Sequence, residues 1–127
     1  MEGSSQPASL TPLDVAAIDS LLDLLGGDAG ALAEVTEAFL EEAPQRIAEV
    51  VRGVAEGDAR LAGRAAHTLK SNALTFGAAR LAELSRQLEE SARAGDLEAA
   101  GGLAVELETE WSRTRPLLFE LRDRNAG

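Results

Sequence analysis

The chain has 127 residues, with 22 acidic and 12 basic side chains for a formal charge of −10, one histidine and no cysteine. That length suits one domain, able to bury roughly two-thirds of its unfolded surface without staples. Disulfides, thiolate catalysis, cysteine–zinc sites and multi-histidine metal sites are excluded, so no bound metal is expected.

The acidic balance argues against nucleic acid and anionic membranes as partners. No apolar run approaches the ~20 residues that span a bilayer, and no charged segment followed by an apolar core marks a signal peptide. A cytoplasmic, monomeric domain is the expectation. Ala (24) and Leu (20) dominate the hydrophobic residues, against 6 Val, 2 Ile and 6 Thr. Ala, Leu, Glu and Arg favour helices, whereas strands want β-branched and aromatic residues, so the fold class expected is all-α.

Residues 1–10 are small and polar without periodicity and read as a disordered tail, with one helical domain over 11–124. Thr11-Pro12-Leu13-Asp14 reads as a helix start, with Thr as N-cap, Pro at the first helical position and an acid in the first turn. The dipeptide Gly-Asp then recurs as Gly27-Asp28, Gly57-Asp58 and Gly95-Asp96. In each, Gly takes the left-handed position that ends one helix and Asp caps the next. Gly77 supplies a fourth break. These signals predict helices at about 12–25, 29–56, 59–75, 78–94 and 97–123. Pro44 predicts a kink or break near Glu42–Pro44, and Pro116 does the same to the last segment, which also holds the weak pair Gly101-Gly102. Apolar residues recur at helical period in the segments: Leu32/Val35/Phe39, Ile47/Val50/Val51/Val54, Leu81/Leu84/Leu88, Leu103/Leu107/Trp111 and Leu117/Leu118/Leu121. Four long helices with short connections predict an antiparallel up-and-down four-helix bundle, with 12–25 as an additional N-terminal helix.

The only histidine, His67, precedes the only lysine, Lys70, by three residues in a chain with 11 arginines. On a wheel of 100° per residue from Leu61, the apolar residues Leu61, Ala62, Ala65, Leu69, Ala73 and Phe76 cluster near roughly 65–70°, and His67 falls near roughly 240°. The imidazole is therefore expected in water. Gly63 lies one turn before it and Ser71 one turn after, both small. Lys70, Leu74, Arg60 and Arg64 share that side. Gly63 stands out, because Gly inside a helix costs up to ~1 kcal/mol relative to Ala.

One exposed histidine cannot assemble a nucleophile–base–orienter set by itself. With no G-x-x-x-x-G-K-[ST] motif or other Gly-rich phosphate loop, ATP binding and free-standing hydrolase or kinase activity are not expected. About half or more of an unperturbed imidazole is neutral near pH 7, with a lone pair able to attack a phosphoryl group. The neighbouring ammonium would act on phosphate oxygens as a point charge. The remaining apparatus, including any Mg²⁺, would come from a partner. That pattern describes a carrier.

Residues 66–78 (Ala66-His67-Thr68-Leu69-Lys70-Ser71-Asn72-Ala73-Leu74-Thr75-Phe76-Gly77-Ala78), followed by Leu81, Leu84 and Leu88-Glu89, resemble the histidine-containing phosphotransfer (HPt) domain. With Phe39, Gly57-Asp58 and the helix layout, the likeness covers about residues 28–110. The resemblance implies a four-helix bundle with His67 as exposed phosphoacceptor and Lys70 contacting the phosphoryl group. Ser71 stands where Gly is commonest in that family, and either leaves room for a docking partner. Gly63, Arg64, Asn72, Leu74 and Thr75 are candidate partner contacts, and Gly77 ends the helix and allows the tight turn. The implied partners are receiver domains of response regulators or hybrid histidine kinases. Their aspartate exchanges phosphate with His67, and they hold Mg²⁺. The alternative is a degenerate relative that docks or sequesters a receiver without transfer. An unrelated helical adaptor with an incidental His67 fits the outward histidine less well.

Overall fold

The computed structural model describes residues 12–126, so the tail predicted over 1–10 lies outside the described residues. Five helices run in order: α1 (Val15–Leu24), α2 (Ala29–Glu56), α3 (Ala59–Thr75), α4 (Ala79–Arg93) and α5 (Leu97–Asn125). Among the described residues there is no strand, and no helix is long and apolar enough to cross a membrane. Helix α2 packs against α3 and α5, α4 packs against the same two, and α1 touches α2 and α3 lightly.

The Gly-Asp punctuation appears as predicted. Gly27, Gly57 and Gly95 have φ of 76°, 73° and 76°. The carboxylates of Asp28, Asp58 and Asp96 accept from the backbone N–H of Ala31, Leu61 and Ala99 at 3.0–3.1 Å. Each side chain thereby satisfies a donor that the first helical turn leaves without an internal partner.

The start of α1 differs from the expectation. Thr11 lies outside the described residues and Pro12 precedes the helix. The N-cap is Asp14, whose side chain accepts from Ala16 N–H. Its own N–H donates to Gly77 O at 3.0 Å, so a long-range contact fixes the boundary. Gly77 has φ +67°, and a Cβ there would sit 2.6 Å from Ala17 Cβ and 2.8 Å from Asp14 Cβ. Only glycine fits both the left-handed turn and the close approach of α1.

The prolines do not break their helices, one of the two outcomes expected of them: α2 runs continuously through Pro44 and α5 through Pro116. An interior proline removes one helical hydrogen bond and costs ~3 kcal/mol. Continuous apolar faces offset that cost. Thr36, Phe39, Leu40 and Ala43 are buried before or beside Pro44, and Ile47 and Val50 after it. Trp111 and Thr114 precede Pro116, and Leu118 and Leu121 follow it. Burying a Leu or Phe side chain contributes about 1.5–3 kcal/mol, so breaking either helix would forfeit more than carrying the proline costs.

The core is mainly Leu and Ala, with one aromatic cluster. Phe39 stacks on Phe76 at 4.9 Å between centroids and meets Trp111 edge-on at 5.6 Å, joining α2, the end of α3 and α5. On α3 the buried residues are Ala62, Ala65, Ala66, Leu69 and Ala73. Four of these five are alanines, and short side chains let the neighbouring helix axes approach. A Cβ on Gly53 would lie 2.8 Å from Ala62 N and Asp58 O, so glycine allows α2 to pass tightly beside the start of α3.

Candidate functional site

The outward placement of His67 is as the wheel predicts, with a side chain 56% exposed. Its ring is nevertheless held. His67 Nδ1 lies 2.8 Å from Glu89 Oε2 on α4. Lys70 Nζ donates to Glu89 Oε1 at 2.8 Å, and Arg93, one turn beyond Glu89, reaches Oε2 at 2.7 Å. The Glu89 side chain is only 5% exposed. Three cationic or donor groups from two helices therefore converge on one buried carboxylate.

Electrostatics favour the ionised form of that carboxylate. Burial pushes the Glu89 pKa up, but hydrogen bonds and charge from Lys70 and His67 outweigh it and leave the group below its ordinary value. An ionised carboxylate can only accept, so the proton between the two residues is assigned to Nδ1. In the neutral ring the lone pair then belongs to Nε2, on the side away from Glu89. The nitrogen left free is thus set by a residue 22 positions downstream.

Glu89 stands in the motif that resembles the HPt domain, but the motif by itself assigns it no task. A signal was present. On a wheel of α4 from Leu81, Leu84 and Leu88 fall at roughly 300° and 340°, Ala82 at roughly 100° and Glu89 at roughly 80°, inside the apolar stripe. A glutamate on a core-facing stripe requires a partner, and His67 and Lys70 supply it. Arg93 carried no comparable mark in the sequence.

The other predicted residues divide by position. Gly63, Arg64 and His67 line one cleft of about 430 Å³ with Arg60, Glu89 and Arg93. A Cβ on Gly63 would meet only Ala92 Cβ, at 3.6 Å, an ordinary contact. Packing therefore does not require glycine at this position. Ser71 is exposed, and its carbonyl accepts from Thr75 Oγ1 at 3.1 Å. Asn72 turns toward α2, where Nδ2 donates to Glu42 Oε1 at 2.9 Å. Leu74 is 61% exposed. Gly77 serves the turn, as predicted. A larger groove between α2 and α5, lined by Pro44, Ile47, Val51 and Trp111, shares no residue with the His67 cleft.

An outward imidazole oriented by a carboxylate, with an ammonium on the same carboxylate and small residues around it, is equipped for reversible attack on phosphorus. The chain matches the Hpt domain family over residues 34–116 and belongs to it. Its fold is similar to the crystal structure of histidine-containing phosphotransfer protein B from Pseudomonas aeruginosa PAO1, with a TM-score of 0.81 and 28% identity, covering 89% of this chain and 96% of that one. No curated protein sequence matches the chain. Family membership and this likeness support a phosphotransfer role in two-component signalling.

Proposed function

We propose that this protein is a phosphorelay intermediate that carries a phosphoryl group on His67 and exchanges it with the aspartate of receiver domains. The single observation that carries the proposal is the 2.8 Å contact of His67 Nδ1 with the buried Glu89. The single domain proposed over 11–124 is described from residue 12 onward. The ring of contacts α2–α3–α4–α5 and the short connections support an antiparallel up-and-down bundle, with α1 as an added helix.

The chemistry closes without a proton leaving during attack. His67 Nε2 attacks the phosphorus of an aspartyl phosphate, a P–N bond forms, and the P–O bond to the aspartate breaks with the electron pair going to its carboxylate. The ring retains the Nδ1 proton and becomes positively charged. Glu89, ionised and hydrogen-bonded to Nδ1, stabilises that charge. In reverse, an aspartate carboxylate attacks and the neutral Nδ1–H ring leaves. Lys70 lies on the same carboxylate as the ring and supplies a point charge for phosphate oxygens. The receiver, on a response regulator or hybrid histidine kinase, brings the acceptor aspartate and the Mg²⁺ that neutralises charge on the transferred group.

The test is to incubate the protein with receiver domains carrying labelled phosphoryl groups, and to seek acid-labile, base-stable label on it. Wild type acquires the label and His67→Gln does not. A receiver-binding module without transfer would dock and stay unlabelled, and equal labelling of His67→Gln would remove His67 as acceptor.

A further inference from the structure

Helix α3 carries Arg60, Arg64 and Lys70 and no acidic residue, within a chain of net charge −10. Lys70 is engaged by Glu89. Arg60 and Arg64 are exposed and have no ion-pair partner among the described residues. The carboxylate nearest to them in sequence, Asp58, is occupied in capping α3 through Leu61 N–H. Both arginines lie in the N-terminal half of α3, and Arg60 is its second residue. In the first turn the helix dipole disfavours Arg60, and Arg64 lies beyond its reach, so the dipole gives neither a stabilising task. Both line the cleft that holds His67, with Arg93 across it and Gly63 between them. The glycine leaves open space that packing would let an alanine fill.

We infer that Arg60 and Arg64 form a docking patch for carboxylates on the receiver, beside the phosphoryl-accepting aspartate. The assignment rests on the phosphorelay role proposed above. Overall, a −10 protein repels an acidic partner. A local basic ridge next to the reacting nitrogen reverses that field where it matters, and orients the approach toward His67. Arginine suits the task because its planar fork pairs with a carboxylate through two parallel hydrogen bonds. The missing Cβ at residue 63 lets a partner's side chain descend between the two guanidinium groups.

The test measures association of the intact protein with receiver domains of the source organism, one by one, from about 50 to about 300 mM NaCl, over which the Debye length falls from about 14 to about 6 Å. Wild type, Arg60→Ala/Arg64→Ala and Arg60→Lys/Arg64→Lys are compared, with thermal melts of each. The alanine pair is expected to associate about tenfold more slowly at low salt, with a flattened salt dependence, while the lysine pair retains the salt dependence. The alanine pair melts at or above wild type, because Arg60 leaves the first turn of α3. Wild-type association insensitive to salt, an alanine pair that docks like wild type, or no receiver bound by wild type would each overturn the patch. Phosphoryl label is followed in the same samples. Salt-dependent docking without label defeats the phosphorelay role and leaves the patch standing, whereas label transfer with unchanged salt dependence defeats only the patch.

Discussion

His67 Nδ1 donates to Glu89 Oε2 at 2.8 Å across the packed faces of α3 and α4, and this bond leaves Nε2 as the free nitrogen. Glu89→Ala would release the ring and leave Lys70 and Arg93 without their shared acceptor. Phosphoryl transfer to His67 is then expected to slow by about tenfold or more, the scale on which loss of an orienting partner acts. Glu89→Gln, whose amide oxygen can still accept from Nδ1, should fall between the two. Single-turnover transfer checks the rates, and nitrogen chemical shifts of the imidazole report whether the Nδ1–H tautomer persists.

The same carboxylate makes stability depend on pH. Its pKa is lower folded than the ordinary value of 4.5, so the unfolded chain binds the proton first on acidification. The stabilisation is full above pH 4.5 and is lost as pH falls through the lower folded value. Urea denaturation of wild type and Glu89→Gln across that interval should show wild type more stable at pH 7, with the gap closing toward low pH. A gap that holds constant would contradict the cluster's electrostatic character.

Two glycines should respond in opposite directions. Gly77→Ala forces a Cβ to 2.6 Å from Ala17 at φ +67°, costing at least the ~1–2 kcal/mol of a left-handed L-residue. Gly63→Ala meets only the 3.6 Å contact with Ala92 and should stabilise by about 0.5–1 kcal/mol through helix propensity. Thermal melts of both variants check the pair.

Much of this layout was legible because it is written in local chemistry. The Gly-Asp repeats set three helix junctions, and the wheel placed His67 outward before any contact was known. The start of α1 was not legible, because Asp14 is positioned by a bond to Gly77, 63 residues away. That Pro44 and Pro116 leave their helices unbroken was not legible for a related reason: their local cost is offset by cores assembled from distant helices. At the site, local pattern supplied His67 and Lys70, but their connection runs through Glu89 on another helix.

Two positions, exposed Leu74 and half-buried Lys70, separate docking from chemistry. Leu74→Asp places a charge on an apolar side chain that is 61% exposed, and should weaken receiver affinity while leaving stability within about 0.5 kcal/mol. Lys70→Ala should instead slow transfer and keep the helical far-UV signal, since its side chain is 26% exposed and its contact is Glu89. Calorimetric titration with a receiver and circular dichroism check both.

In the proposed mechanism His67 accepts phosphate through Nε2 because Glu89 occupies Nδ1. Phosphorus and nitrogen NMR of the protein after labelling by a phosphorylated receiver tests it most directly. Phosphorus is expected on Nε2 of His67, with the Nδ1 proton retained. Phosphorus on Nδ1, on any other residue, or absent from the wild-type protein would contradict it.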